Sequence, residues 1–227
     1  MRTLEEHTPE ALLGSLNEVE RKHAPRLLFT AGKIELLQRG IRVSVVGSRN
    51  ASPEGVARTR AITEILVTHS VIVVSGLAAG IDTVAHTTAI RSGGSTLAVL
   101  GTPLDSCFPA SNRDLLDQIV ANHLAVSQFA IGTPPSKRNF PIRNRTMALL
   151  SDATIIVEAG EGSGTIHQGW EALRLGRPLF LLESLSRRED LSWPAEMLRY
   201  GAETLTRTNL PHVLANLPER PRGEFAF

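Results

Sequence analysis

The sequence predicts an α/β protein built on a doubly wound, mostly parallel sheet with helices on both faces. Three observations carry this. Short β-rich runs recur along the chain, each almost wholly apolar, as strands covered on both faces must be. Segments with helical spacing alternate with them, which makes βαβ units. Most of the runs also end in a polar, glycine-rich turn, and strand ends are where such sheets hold ligands.

The runs, in order, are Arg42–Val46, Val71–Ser75, Thr96–Leu100, Ala125–Gln128, Thr154–Glu158 and Pro178–Leu182. Helical spacing covers Gly55–His69, Thr83–Ser92, Asn112–Asn122, Ile142–Ser151 and Thr165–Leu175. A weaker unit follows: a helix near Trp193–Tyr200, a strand near Glu203–Thr206 and a helix near Leu210–Leu217. Residues 1–23 are polar with loosely helical leucines and are expected as a helical or partly ordered arm. The main domain is expected over 24–218, with a flexible tail over 219–227.

The 227 residues are 42% hydrophobic, enough for a full core, and their net charge is +1. A whole-chain polycation is excluded, so nucleic-acid contacts must come from a local concentration of Arg and Lys. The single cysteine, Cys107, excludes an internal disulfide. With no secretory signal and no apolar run of spanning length, a cytoplasmic protein with no membrane role is expected.

The turns after the strands hold the candidate chemistry. GSRN at 47–50 offers close backbone approach at Gly47, a hydroxyl at Ser48 and a planar fork of donors at Arg49, all suited to phosphate. SGLAAGID at 75–82 leaves its strand through Ser75 and Gly76, with Gly80 allowing a second close approach. Asp82 is placed to cap the next helix, and His86 reads as a packed helix residue. KRNFPIRNR at 137–145 concentrates Lys137, Arg138, Arg143 and Arg145. Pro141 sets Arg143 and Arg145 in the first turn of a helix, against the macrodipole, where cations call for a compensating anion. GEGSGT at 160–165 lacks the lysine of a Walker A loop and the GxGxxG spacing. Its Gly162, Ser163, Gly164 and Thr165 still head a helix, where free N–H groups make an anion site.

Trp170 and Trp193 read as core or lid residues, because 4% aromatic content does not suit a stacking-dominated strand binder. The histidines are scattered and Cys107 has no partner, so no metal site is expected. No GxSxG elbow is present, and no cofactor is expected.

Together these stretches resemble the DprA (Smf) family of DNA-processing proteins. The matching motifs are VVGSR at 45–49, VVSGLAAGIDTVAH at 73–86, LAVLGTPLDSCFPASNRDL at 97–115, GTPPSKRNFPIRNRTMALLS at 132–151, VEAGEGSGT at 157–165 and LGRPLF at 175–180. Weaker likeness covers PRLLFTAGKIELL at 25–37 and LRYGAETL at 198–205. The resemblance implies an extended Rossmann-like domain, related to the LOG (lysine decarboxylase-like) group. It implies single-stranded DNA binding in a basic pocket, loading of a RecA-type recombinase during transformation, and a homodimer. Carried over by motif, the anion-binding positions are Gly47, Ser48, Arg49, Ser75 and Gly76. Lys137, Arg143, Asn144 and Arg145 add donors, and Ser163, Gly164 and Thr165 close the pocket. Relatives often carry an N-terminal helical domain and a C-terminal winged helix. With short stretches flanking the core, such appended functions are expected to be reduced here.

Three readings follow. The first is a non-catalytic binder of single-stranded DNA. The second is a LOG-like hydrolase releasing a base from a nucleoside monophosphate, which needs a positioned carboxylate. The PGGxGTxxE signature of that group puts Gln168 where its glutamate stands, with Glu161 and Glu171 nearby and Glu171 sharing a helix face. The third is a sensor of a nucleotide-derived ligand. Gln168 favours the first.

Overall fold

The structure, a computed structural model, describes residues 4–217. The expected tail at 219–227 lies outside the described residues. The chain opens with β1 (Glu5–His7), α1 (Pro9–Leu13), α2 (Glu18–His23) and β2 (Leu28–Gly32). The alternating core runs β3 (Arg42–Gly47), α3 (Pro53–Thr68), β4 (Ile72–Ser75), α4 (Ile81–Arg91), β5 (Thr96–Leu100), α5 (Arg113–Asn122) and β6 (Leu124–Ser127). It continues through α6 (Asn139–Leu150), β7 (Ala153–Glu158), α7 (Gly164–Arg174), β8 (Leu179–Leu182) and α8 (Glu183–Ser186). Last come α9 (Trp193–Arg199), β9 (Glu203–Leu205) and α10 (Leu210–Ala215).

One nine-stranded sheet has the order β1-β2-β6-β5-β4-β3-β7-β8-β9. From β6 to β9 all neighbours are parallel, while β2 pairs antiparallel with both β6 and β1. The antiparallel edge is absent from the sequence reading, which gave 25–37 only a family likeness. Residues of 1–23 reach this edge through β1. Leu12, Leu13 and Leu16 are buried with the core, and the Glu20 carboxylate meets buried Arg177 at 2.6 Å.

Side-chain alternation divides the strands between two layers. Val46, Val74, Val99 and Ile156 face α6, α7 and α9, whereas Val45, Val73 and Ile155 face α3, α4 and α10. Ala98, Leu100 and Ala125 pack under α5 through Leu116 and Ile119. Starts are set locally: Ser52 Oγ accepts from Gly55 N at 2.9 Å with Pro53 as the first residue of α3.

Chain order decides where a ligand can enter. From β3 the chain winds outward through β4, β5 and β6, then returns to place β7 on the other side of β3. The order reverses there, and the chain leaves the two paired strands toward opposite faces, β3 to α3 and β7 to α7, which opens a crevice above their ends.

Candidate functional site

A cleft of about 450 Å³ opens at that reversal. One wall is the loop after β3, with Gly47, Ser48, Arg49 and Asn50. Opposite stands the loop from Gly160 to Thr165 that heads α7. Phe140, Pro141, Arg143, Asn144 and Met147 of α6 form a third side, and Asp82, Ala78 and Gln168 reach the floor.

The two strand ends are tied together. Ser48 N donates to Glu158 O at 2.7 Å, and Thr165 Oγ1 donates to Gly47 O at 3.0 Å. Ser163 caps α7, its Oγ accepting from Thr165 N at 3.3 Å, so the first N–H groups of an eleven-residue helix face the cleft. Gly162 has φ +70°, a left-handed turn that glycine adopts freely. A Cβ at Gly160, Gly162 or Gly164 would meet nothing within 4 Å, so this loop borders open space.

Arg49 is exposed, its guanidinium 5.1 Å from the centre of the Phe140 ring. Phe140 lies against Gly101, where a Cβ would come within 2.7 Å of the ring. The cleft therefore sets a cation and helix N–H groups beside a flat apolar face.

Arg143 behaves differently. It is 4% exposed, and its Nη1 donates to Gly76 O and to Val99 O, while Nε donates to Asn144 Oδ1 at 3.1 Å. Asn144 Nδ2 then donates to Gly164 O at 3.0 Å, joining α6 to α7. Burial pushes the Arg143 pKa down; Asp82 opposes this and Arg49 adds to it. The Asp82 carboxyl is pushed up, again by burial first, against Arg143 and hydrogen bonds that lower it. Desolvation outweighs mutual attraction for both partners.

Several expected placements change. Arg143 and Arg145 are the fifth and seventh residues of α6, because the helix starts at Asn139 and takes Pro141 into its first turn. Two residues apart on a helix means about 200° of rotation, so only one can face the cleft. Arg145 does not line it: half exposed, it pairs with Glu171 at 2.9 Å. Lys137 is exposed in the turn before α6 and does not line the cleft either. Ser75 is fully buried with its Oγ donating to Val45 O at 2.8 Å, and Gly76 faces the Arg143 guanidinium instead of a ligand. Asp82 sits inside α4 and accepts from Gly76 N and Ala78 N, holding the preceding loop and not capping the helix. Gly47, Ser48, Arg49, Arg143, Asn144, Gly162, Ser163, Gly164 and Thr165 do come together around the cleft.

His86 is buried, with Nδ1 2.6 Å from Thr96 Oγ1. Trp193 is buried, while Trp170 is half-buried and meets Tyr200 edge-on at 5.4 Å. Gln168 is buried at the floor with its amide nitrogen 3.5 Å from Thr154 Oγ1. Glu171 shares its carboxylate between Arg145 and Arg174 and does not reach the cleft. Glu161 does line the cleft, but its carboxylate accepts from Ser192 N and Oγ. Among the described residues no trio of His, Cys, Asp or Glu is grouped to hold a metal. None of the described helices is long and apolar enough to cross a membrane.

Among the lining residues that sequence reasoning missed, Phe140 is the aromatic one. The only available signal was its place within the basic stretch, between Arg138 and Arg143.

A family model described as DNA recombination-mediator protein A matches residues 4–217. The Smf protein of Synechocystis is 38% identical over 179 residues, 79% of this chain and 44% of its own length. The crystal structure of DNA processing protein A from Streptococcus pneumoniae superposes with TM-score 0.79 at 32% identity, covering 96% of this chain and 76% of that one. A structure of DNA processing protein A from Helicobacter pylori, described for its single-stranded DNA binding mode, gives TM-score 0.80 at 25% identity, covering 96% of this chain and 100% of that one. The chain spans about half the length of the curated relatives it matches. With a family model matching residues 4–217, all of those described, and a fold shared with the Streptococcus pneumoniae structure over 96% of this chain, the chain belongs to the DNA recombination-mediator protein A family.

Proposed function

We propose that the cleft between the ends of β3 and β7 binds single-stranded DNA without cleaving it. The observation that carries this is the joint placement of Arg49, the α7 N-terminus and the Phe140 ring. The first two take phosphate and the third takes a base, as sequence-independent strand binding requires. The Helicobacter pylori relative, whose structure concerns single-stranded DNA, supports the reading. Gln168 in place of a glutamate supports binding over hydrolysis, since an amide neither accepts a proton at neutral pH nor carries negative charge. On the same reading the protein works in the cytoplasm as a homodimer and passes strand to a RecA-type recombinase during DNA uptake.

Fluorescence anisotropy with labelled oligo-dT tests the site. Affinity is expected to fall steeply with salt, and Arg49→Ala to weaken binding and reduce the salt slope by about 1. Absence of binding at low salt, with base release from a nucleoside monophosphate, would replace this reading with the hydrolase. Sedimentation tests the dimer, and recombinase filament assembly on the bound strand tests the partner.

A further inference from the structure

Phe108 stands outside everything assigned so far. It is 53% exposed, one of the few large apolar side chains left to solvent among the described residues. Its ring centre lies 5.4 Å from that of Phe140, the ring on the cleft wall, and the two planes are inclined by 53°. Phe140 lies against the backbone of Gly101, and the Arg49 guanidinium sits over its ring, 5.1 Å from the centre, so a base stacking there meets the cation as well. Lys137 and Arg138, both exposed, precede Phe140 by three and two residues. The shelf is thus continuous with the cleft, apolar on its face and cationic around it. That combination fits a base whose phosphates are held alongside.

The inclination matters. Bases in a duplex are stacked parallel, so a pair of rings 53° apart cannot both lie flat on consecutive stacked bases. An unpaired strand can turn one base against Phe140 and its neighbour against Phe108. We propose that Phe108 is a second stacking platform, which takes the nucleobase next to the one in the cleft and selects unpaired over paired nucleic acid; this rests on the single-strand reading above.

The test uses the full chain with four labelled probes: oligo-dT, the same oligomer with abasic residues, a blunt hairpin duplex, and oligo-dT over a salt series. Phe108→Ala is expected to weaken oligo-dT binding about ten-fold, equivalent to ~1.4 kcal/mol and within the range of one base–aromatic stack. Its salt slope should match that of wild type, because no phosphate contact is removed. On the abasic oligomer and on the hairpin the two proteins should bind alike. Phe108→Leu keeps the apolar bulk without a π face and should lose as much as Phe108→Ala, whereas Phe108→Trp should restore binding. The ring is exposed, so melting temperatures should agree, and any variant that melts early is replaced in the comparison by the Leu–Trp pair.

The inference is overturned if Phe108→Ala binds oligo-dT as wild type does, or if it loses the same factor on the abasic strand. It is also overturned if Phe108→Leu keeps full affinity. A variant with altered mass in sedimentation but unchanged affinity would assign the ring to a protein contact instead. Wild-type protein that binds no oligonucleotide at any salt removes the single-strand reading and the platform together. Loss confined to the Phe108 result leaves that reading standing.

Discussion

The loops that follow β3 and β4 look alike in the sequence and do opposite things in the fold. Each leaves a buried parallel strand with a serine and a glycine, as Gly47-Ser48 in one and Ser75-Gly76 in the other. The first stays open: Ser48 and Arg49 border the cleft. The second is filled from within, because the Arg143 guanidinium lies where a Gly76 Cβ would be, 2.0 Å from that position. Gly80, at φ +76°, lets the second loop lie on the backbone of Ser48 and Arg49. A glycine at a strand end therefore reports only that something comes close. Another element decides whether that is a ligand or the protein's own side chain.

Removing the plug is the most disruptive way to break this contrast. Arg143→Met strips partners from the buried carbonyls of Gly76 and Val99 and leaves the Asp82 carboxyl without its cation. Leaving a buried acceptor without its partner costs about 1–3 kcal/mol, and two are affected here, which is readable by urea denaturation. Arg143→Lys should recover little, since an ammonium cannot reproduce a planar fork reaching two carbonyls and Asn144. A Met variant as stable as wild type would mean that the closed loop does not depend on its plug.

The closed side also titrates. Burial holds the His86 pKa down to about 3, from an ordinary 6.5. Below about 6.5 the unfolded chain takes a proton that the folded chain refuses. Stability from this group is therefore present above that pH and lost as pH falls toward about 3, at about 1.4 kcal/mol per pH unit. Asp82 runs the other way. Its raised folded pKa gives stability at low pH that is lost as pH rises through the folded value. Denaturation of wild type and His86→Gln at pH 7 and pH 5 should show the wild type losing more between the two. Equal losses would mean that His86 takes its proton while folded.

These cases show what was legible. The six core strands could be read because fully covered parallel strands are apolar runs, and the winding then pointed to their ends. β2 could not, since it stands outside the alternation of strand and helix and pairs antiparallel through long-range contacts. Around the cleft, Gly47 to Arg49 and Gly162 to Thr165 were legible as loop residues at strand ends. Ser75 was not, because its side chain points into the sheet. Arg143 and Arg145 were read as a pair, although their spacing of two on a helix already sets them about 200° apart. Phe140 escaped notice because whole-chain aromatic content says nothing about where a few rings gather.

A smaller break compares two glycines directly. Gly76→Ala drives a methyl into the Arg143 guanidinium and should cost about 1–3 kcal/mol by overpacking. Gly160→Ala meets no atom within 4 Å and should change stability by less than about 0.5 kcal/mol. Thermal melts of the two variants separate the filled loop from the open one, and equal losses would erase the distinction.

The smallest expected effect is at Arg145. Its guanidinium is half exposed and paired with Glu171, which is also held by Arg174 at 2.5 Å. An exposed pair of this kind is worth about 0–1 kcal/mol, and Glu171 keeps its second partner when Arg145 is lost. Arg145→Ala should therefore leave folding stability almost unchanged. It should also leave oligo-dT affinity close to wild type, whereas Arg49→Ala should lower it clearly, although both arginines belong to motifs read together as phosphate donors. The comparison uses one labelled oligomer at one low salt concentration. If Arg145→Ala weakens binding as much as Arg49→Ala, the strand must pass over the outer face of α6 as well as through the cleft. The open side of the molecule would then extend around that helix, and the division between a filled and an open loop would describe only its inner edge.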